Sequence, residues 1–377
     1  MSPPDPPPLL LTPGPLTTSS GVRAALDRDW GSREADFVAL TARVRAGLVA
    51  LLPGHDDLTA IPLQGSGSFA VEAMLGSLVP RDGHLLVAVN GAYGRRMVEM
   101  ARLSGRRVSV LDGEETEIVD PAALDARLAA DPSIGHVAVV HCETTTGILN
   151  PLEAIAAVVA LHHRALLVDA MSSFGALPIA STLRFAALAS SANKCLQGVP
   201  GLAFVLARRD AIAAASGRAH SLVLDLAAQW AAFENDGQWR FTPPTQVVAA
   251  LDRALAELAA EGGPEARLAR YRANLAALTA GLARLGLDPA LDPAVQAPII
   301  VTVRAPTAPW YDFATLHRRL LDRGFAIYPG KTSRLDGFRV GCIGALAPAD
   351  MERFVAALAE TLAEMRRGAP SRPTEAP

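Results

Sequence analysis

The chain has 377 residues, of which 50% are hydrophobic and 19% are charged, and its formal net charge is −3. This composition excludes an intrinsically disordered chain, which would be poor in apolar residues, and a chain that coats nucleic acid, which would carry basic blocks. We therefore predict a soluble, globular protein that is long enough to form two domains and has no nucleic-acid partner.

Three missing features narrow the class of protein further. The N-terminus is rich in proline and lacks the basic and apolar regions of a secretory signal. The apolar runs are too short or too often interrupted for a transmembrane helix. The three cysteines, Cys142, Cys195 and Cys342, are too scattered for a disulfide framework or a CxxC metal site. We expect a protein of the reducing cytoplasm that binds neither a metal nor a membrane.

The first two thirds of the chain predict an α/β domain. After a proline-rich arm, helices are predicted over 18–29 and 34–52. From residue 59 onward, short apolar strands alternate with helices. The predicted strands cover 59–63, 84–89, 108–111, 136–140, 165–168, 186–189 and 201–206, and the predicted helices cover 69–78, 121–130 and 152–163. This alternation is typical of a mostly parallel sheet that is covered on both faces.

The pattern changes near residue 250, and the remainder predicts a smaller α+β domain. Helices are predicted over 244–261, 264–285, 312–323 and 348–366, and strands over 297–303, 325–328 and 338–341. The expected organisation is therefore an N-terminal arm (1–17), a large domain (18–250), a small C-terminal domain (251–367) and a polar tail (368–377).

Lys194 is conspicuous because lysine is rare in this chain. Of the 35 basic residues, only Lys194 and Lys331 are lysines. Chemistry that needs an amine nucleophile cannot use arginine, which stays protonated. Lys194 lies in a turn rich in serine and asparagine (190–195) between two apolar runs, where burial would lower its pKa, as for a Schiff-base lysine. A structural lysine in a loop is the alternative, and this turn alone does not decide between them.

Two further clusters are predicted to lie close to Lys194. The turn 65–68 opens a helix after a strand, so its N–H groups and hydroxyls favour a phosphate. The chain has no GxGxxG motif and no Walker lysine, which argues against a dinucleotide or a nucleoside triphosphate. Asp169 ends a strand, and either caps the turn at Ser172-Ser173 or pairs with a protonated pyridine nitrogen. Lys194 follows after one more predicted helix and strand, which places both residues at the same rim of the sheet. Together the three clusters indicate pyridoxal phosphate.

Other candidates are weaker when taken alone. Tyr93, in the turn after the strand 84–89, either stacks on the pyridine ring or is an aromatic residue of the rim. Arg339 is a candidate clamp for an anionic substrate, because guanidinium binds a carboxylate or phosphonate through two N–H groups. The chain has 33 arginines, so this assignment is not specific. The histidines show no metal-ligand spacing, and Cys342 fits a small buried residue.

Seven runs of the sequence resemble the motifs of the class V aminotransferases, a branch of the fold-type-I pyridoxal-phosphate enzymes. These runs are LLLTPGPLTTS (9–19), LQGSGSFAVEAMLGS (63–77), NGAYGRRMVEMA (90–101), HCETTTGILNP (141–151), VDAMSSFGALP (168–178), SSANKCLQGVPG (190–201) and FRVGCIG (338–344). They span nearly all of 9–345. Within the family they match best the branch that acts on 2-aminoethylphosphonate and pyruvate, whereas the alanine–glyoxylate branch shows looser versions.

The resemblance implies a site for pyridoxal 5'-phosphate. Its expected residues are Ser66, Gly67, Ser68, Tyr93, Thr145, Asp169, Asn193, Lys194 and Thr242. Lys194 resembles the Schiff-base lysine, and Asp169 resembles the partner of the pyridine nitrogen; these two are the expected catalytic residues. The three residues of 66–68 resemble the phosphate cradle.

The remaining residues of the implied site surround the cofactor. Tyr93 resembles the stacking ring, Thr145 a contact near the ring edge, and Asn193 a neighbour of the lysine that reaches the phosphate. In this family a threonine of the neighbouring subunit also touches the phosphate. Thr242 occupies that motif, so the resemblance implies a homodimer with shared active sites. Arg339 resembles the clamp for the acid group of the substrate.

The implied activity is transamination of 2-aminoethylphosphonate with pyruvate, which gives phosphonoacetaldehyde and L-alanine in phosphonate catabolism. Lys194 would move a proton between the substrate carbon and the cofactor. Arg33 and Val38 depart from the family, which more often has an aromatic residue and an asparagine there, so the exact amino donor stays open. The alternatives are another class V transaminase that uses alanine or serine with glyoxylate or pyruvate, a pyridoxal-phosphate sensor without turnover, and a cysteine-dependent lyase.

Overall fold

The computed structural model describes residues 7–330, 332 and 335–367. The first residues of the predicted arm (1–6), Lys331 and the predicted tail (368–377) lie outside the described residues. In the described part of the chain the strands are β1 Leu9–Leu10, β2 Leu58–Gln64, β3 His84–Val89, β4 Arg107–Asp112, β5 Ile134–Val140, β6 Cys142–Glu143, β7 Ile148–Leu149, β8 Ala165–Asp169, β9 Ala187–Ser191, β10 Leu202–Arg208, β11 Ile300–Arg304, β12 Phe325–Ala326, β13 Tyr328–Pro329 and β14 Gly337–Gly341.

Helices alternate with these strands. They are α1 Ser20–Ala24, α2 Ala35–Ala50, α3 Gly67–Leu78, α4 Ala92–Leu103, α5 Pro121–Ala130, α6 Leu152–Leu161, α7 Arg209–Ala213, α8 Leu226–Asp236, α9 Thr245–Glu261, α10 Gly263–Arg284, α11 Phe313–Asp322 and α12 Pro348–Arg367. Within the described residues, no helix combines the length and the apolar character that are needed to cross a membrane.

The centre of the fold is a seven-stranded sheet with the strand order β2-β10-β9-β8-β5-β3-β4. Strand β10 runs antiparallel to both of its neighbours, and the remaining pairs are parallel. The strands are apolar because both faces are buried. Along β3, Leu86 and Ala88 enter one core, and Leu85, Val87 and Val89 enter the other, as the two-residue period of a strand requires. The predicted mostly parallel α/β sheet is therefore confirmed.

Two layers of helices cover the sheet. The core on one face is closed by α2, α5, α6 and α9, and the core on the other face by α3, α4 and α8. A third core joins α10, α11 and α12 to the antiparallel sheet β11-β14-β13. Strand β1 pairs with β12, which attaches the N-terminal segment to this smaller α+β part. The domain boundaries given above remain predictions.

Several sequence predictions of local structure were wrong. The helix expected over 18–29 is only the five residues of α1, whose one buried residue is Val22, so it has almost no apolar face to stabilise it. No helix lies between β8 and β9 in the described chain; 170–186 form turns instead, interrupted by Gly175, with φ +87°, and by Pro178. The strand expected over 325–328 is divided between β12 and β13, which belong to different sheets.

Candidate active site

The predicted catalytic residues meet at the carboxyl ends of the central strands. Asp169 is the last residue of β8, and Lys194 follows β9 by three residues. A cavity of about 380 Å³ opens there, which is a suitable size for a small ligand. Seven of the predicted site residues line it, namely Ser66, Gly67, Ser68, Tyr93, Asp169, Asn193 and Lys194. The sequence prediction that strand ends would bring these residues together is consistent with this geometry.

Lys194 is held in a largely desolvated position. Burial lowers the pKa of its amine, and Arg339 adds to this effect, while Tyr93 and Asp169 act in the opposite direction. The Nζ atom donates a hydrogen bond to the carbonyl oxygen of Gly14, 3.1 Å away. A lowered pKa increases the fraction of neutral amine, which is the form that can attack a carbonyl or accept a proton.

Asp169 is a buried carboxylate, with 4% of its surface exposed. Burial raises the pKa of Asp169 to about 6. The Met171 N–H and Lys194 favour the charged form and lower the pKa, whereas the neighbouring Glu143 raises it further. Its Oδ1 accepts a hydrogen bond from the backbone N–H of Met171 at 2.9 Å, so one oxygen does cap the following turn. No cation of the described residues forms an ion pair with it. A protonated pyridine nitrogen would compensate this charge.

The start of α3 fits an anionic group. Ser66 is the N-cap of α3, but its side chain makes no capping hydrogen bond, so the first N–H groups of the helix are left for a ligand. A Cβ atom on Gly67 would lie 2.5 Å from Cε of Met171, so a side chain at this position would require the flexible Met171 side chain to move. Ser68 accepts a hydrogen bond at its Oγ from Nη1 of Arg96 at 3.2 Å. The residues present therefore fit the phosphate of the predicted cofactor.

Glu143, which the sequence predictions did not include, organises the start of α4. Its side chain is fully buried, and its Oε2 accepts hydrogen bonds from the N–H groups of Tyr93 and Gly94 at 3.2 Å each. Its Oε1 accepts from the N–H and the Oγ1 of Thr145, at 3.1 and 2.6 Å. Burial raises the pKa of Glu143, which these hydrogen bonds counteract. An acid three residues after the buried strand β5 was the available signal.

Thr145 is placed behind the cavity rather than in its lining. Its side chain is completely buried, and its Oγ1 also accepts the N–H of Ala92 at 2.8 Å. It therefore supports the helix turn that carries Tyr93. Asn193, in contrast, does line the cavity, and its Oδ1 accepts a hydrogen bond from the Ser191 hydroxyl at 3.0 Å. The predicted cofactor contacts of Thr145 and Asn193 stay predictions.

Arg339 joins the small α+β part to the site. It lies in β14 with 6% of its surface exposed, and burial lowers its pKa. Its Nε donates to the carbonyl oxygen of Pro329 and its Nη1 to that of Thr144, both at 2.9 Å. Tyr93 acts against the effect of burial and raises the pKa of Arg339. Arg339 lies outside the described lining of the cavity, which does include Tyr93.

Thr242 lies apart from Lys194. It lines a separate cavity of about 350 Å³, beside the exposed rings of Phe69 and Phe241. Arg33 and Val38, the two departures from the family, lie outside the described lining of the Lys194 cavity; Arg33 is exposed, and Val38 packs near Gly237. The sequence analysis also missed Gly14, Arg96 and Met171, which do line it.

The mostly parallel sheet, with a buried lysine and a buried carboxylate at the carboxyl ends of its strands, has the α/β architecture of fold type I. Two solved structures share this fold closely. The alanine–glyoxylate aminotransferase of Nostoc sp. has a TM-score of 0.88 and 26% identity, with 96% of this chain and 97% of that chain covered. The pyridoxamine–pyruvate aminotransferase of Mesorhizobium loti has a TM-score of 0.87 and 27% identity, with 97% and 94% covered.

The comparison of sequences is more specific. The model of the family "Aminotransferase class-V" matches residues 18–333, and the chain belongs to the class V aminotransferase family. The chain is 53% identical over 359 residues to a 2-aminoethylphosphonate–pyruvate transaminase 2 of Burkholderia lata, which covers 95% of this chain and 96% of the relative. It is 52% identical to a 2-aminoethylphosphonate–pyruvate transaminase of Pseudomonas aeruginosa strain PAO1, with 95% and 97% covered.

Proposed function

We propose that this aminotransferase moves the amino group of 2-aminoethylphosphonate to pyruvate, giving phosphonoacetaldehyde and L-alanine. The observation that carries the proposal is the 53% and 52% identity to relatives of that name over 359 aligned residues, which cover 95% of the chain. The cavity that joins Lys194 to Asp169 at the sheet rim supports the chemistry.

The proposed cofactor is pyridoxal 5'-phosphate, bound covalently by Lys194. When bound, it supplies an electron sink that makes the hydrogen on the substrate carbon next to nitrogen acidic. The start of α3 at 66–68 would hold its phosphate through backbone N–H groups and hydroxyls, with Asn193 beside it. Asp169 would hold the proton on the pyridine nitrogen, because a buried carboxylate is stabilised by a cation in contact with it.

Lys194 would have a second role as the proton carrier of the reaction. Its Nζ would accept the proton of the substrate carbon next to nitrogen as a general base, and would then donate that proton as a general acid to complete the transfer. The lowered pKa of Lys194 supports this role, because it increases the fraction of neutral amine, which is the form that can accept a proton. Tyr93, whose backbone N–H donates to Glu143, would stack on the ring and help to orient it.

Arg339 is the proposed clamp for the acid group of both substrates. The phosphonate of the donor and the carboxylate of pyruvate are both anions that a guanidinium binds through two N–H groups. A reaction in two stages through one pocket requires one cation to serve both. The burial of Arg339 supports this role, since an anion in contact with it would compensate a desolvated charge.

We also propose a homodimer with shared sites in the cytoplasm. The exposed side chains of Phe69, Val223 and Phe241 line the cavity that contains Thr242, and the adjacent Leu222 is exposed as well. A second copy of the chain would cover this apolar surface and bring its Thr242 to the phosphate at the start of α3.

A half-reaction tests the proposed activity. The protein loaded with pyridoxal phosphate is mixed with 2-aminoethylphosphonate and no pyruvate, and the absorbance of the cofactor is followed. We expect conversion to pyridoxamine phosphate, with release of phosphonoacetaldehyde, faster than with L-alanine or L-serine at equal concentration. Conversion by L-alanine or L-serine, but not by 2-aminoethylphosphonate, would instead favour an alanine– or serine–glyoxylate or –pyruvate transaminase.

A further inference from the structure

Arg96 faces the cavity because of its position on α4. Residues Tyr93, Arg96, Met97 and Met100 are spaced three, four and seven apart, so they share one face of the helix, and all four line the cavity. The Arg96 guanidinium carbon lies 5.0 Å from the centre of the Tyr93 ring. Its Nη1 reaches across to α3 and donates to Oγ of Ser68 at 3.2 Å. Arg96 therefore bridges the ring-stacking residue and the phosphate cradle.

The charge of Arg96 is not compensated by an acid. No carboxylate of the described residues lies within 4 Å of it, although the neighbouring Arg95 pairs with Asp112 at 3.1 Å and with Glu115 at 3.8 Å. Arg95 is exposed and points away from the cavity. Of two adjacent arginines, one is paired at the surface and the other presents its charge to the cavity. The field of Arg96 also reaches Asp169 and favours the charged form of that carboxylate.

An anion bound at the start of α3 would compensate the charge of Arg96. The helix end offers N–H groups and two hydroxyls, which are neutral donors, whereas a phosphate of the cofactor carries up to two negative charges. The basic residues in the described lining are Arg96 and Lys194. Lys194 would be occupied at the ring of the cofactor, so Arg96, which donates to Ser68, is the cation placed to meet the phosphate. Charge-assisted hydrogen bonds from guanidinium to phosphate are stronger than neutral ones.

We propose that Arg96 is a further cofactor-binding residue, which donates to the phosphate of pyridoxal phosphate together with the start of α3. This inference rests on the proposed function, because it assumes that the cofactor binds at Lys194. It makes α4 the helix that holds both ends of the cofactor, the ring through Tyr93 and the phosphate through Arg96.

The test compares two cofactor forms in the apoprotein. The dissociation constants of pyridoxal phosphate and of pyridoxal, which lacks the phosphate, are measured by equilibrium dialysis for wild type, Arg96→Met and the matched control Arg95→Met. We expect Arg96→Met to weaken the binding of pyridoxal phosphate by about 10- to 100-fold and to leave that of pyridoxal nearly unchanged. Arg95→Met should change neither. Arg96→Lys, which keeps the charge but not the two-pronged geometry, should fall between wild type and Arg96→Met.

A second measurement uses inorganic phosphate, which lacks the pyridine ring of the cofactor. Inorganic phosphate should raise the unfolding temperature of the wild-type apoprotein more than that of Arg96→Met or of Arg96→Gln, the second uncharged variant. An equal loss of affinity for pyridoxal phosphate and pyridoxal would assign Arg96 a structural role and overturn the proposal. Unchanged cofactor binding with a raised KM for 2-aminoethylphosphonate would overturn it as well, because Arg96 would then serve the substrate. Failure of the wild-type protein to bind pyridoxal phosphate at all would instead contradict the proposed function.

Discussion

The amine of Lys194 donates its hydrogen bond to the carbonyl oxygen of Gly14 at 3.1 Å, although 180 residues separate them in the chain. Gly14 and Pro15 line the same cavity, and the segment before them pairs with β12 of the small α+β part. The N-terminal segment thus closes one side of the site and ties the position of Lys194 to the rest of the fold.

Replacement of Gly14 tests this closure. Gly14 has a φ of +109°, and a Cβ atom there would lie 2.6 Å from Cδ of Lys194. Gly14→Ala should displace the lysine and reduce both cofactor occupancy and turnover by about 10-fold or more. The control is Gly105→Ala, because Gly105 has a φ of +75° but no atom within 4 Å of the added Cβ. Cofactor occupancy is measured by absorbance, and equal behaviour of both variants would contradict the closure.

The charge of Asp169 should make the stability of the apoprotein depend on pH. The native pKa of about 6 exceeds the ordinary value of 3.8, so the native state binds more protons than the unfolded state between these values. Stability should therefore fall as pH rises through this window, with a cost on the order of 3 kcal/mol once Asp169 is charged. Asp169→Asn removes this cost and keeps an oxygen for the N–H of Met171.

The expected outcome is a variant that is more stable but less active. In urea unfolding of the apoproteins, Asp169→Asn should match wild type near about pH 4 and exceed it above about pH 6. Transamination should fall by about 100-fold or more, because a neutral amide does not hold the pyridine nitrogen protonated. A stability difference that does not change with pH would contradict the burial of a charged Asp169.

The proposed clamp predicts a specific effect on substrate binding. Arg339→Met should raise the KM for 2-aminoethylphosphonate and for pyruvate by about 10-fold or more, because a two-pronged charged contact is lost. Arg304→Met is the control, since Arg304 is an exposed residue of the adjacent strand β11. Steady-state kinetics measures both. An effect on only one substrate would contradict a clamp shared between the two stages.

Shared sites can be tested by mixing two inactive proteins. Lys194→Ala removes the amine, and Thr242→Glu would place a negative charge opposite the phosphate of the partner subunit. In a mixed dimer, one site carries both changes and the other carries neither. Activity should therefore return, to at most about one quarter of wild type after random exchange of subunits. If each protein alone is inactive and the mixture is as well, Thr242 does not act across an interface.

The sequence predicted the site residues at the carboxyl ends of the strands better than the side chains that act through the packing of the helices. Asp169 and Lys194 could be placed together because parallel strands end at one edge, and that logic needs only the strand pattern. Glu143 and Arg96 act through the packing of α4 against α3 and β6, which no local pattern reveals. Arg96 was also difficult to single out among 33 arginines. Its distinguishing feature, that it has no acid partner in the described chain, is visible only in the structure.

Local signals explain other differences between prediction and structure. Helix α8 was missed, although Asp225 caps its start by accepting the N–H of Ala228, and Gly237 ends it with a φ of +75°. Both are ordinary boundary signals. The predicted helix between β8 and β9 failed because Gly175 and Pro178 interrupt the segment. Its start is also fixed by a hydrogen bond of the site, since Oδ1 of Asp169 accepts the N–H of Met171.

The central claim, that Lys194 binds the cofactor, is tested most directly by borohydride reduction of the protein loaded with pyridoxal phosphate. The modified peptide is then identified by mass spectrometry. The chain has only two lysines, Lys194 and Lys331, so the result is unambiguous. The structure predicts a pyridoxyl group on Lys194 and none on any lysine of the Lys194→Ala variant. A group on Lys331 in the wild-type protein, or a reducible adduct on a lysine of Lys194→Ala, would contradict the account.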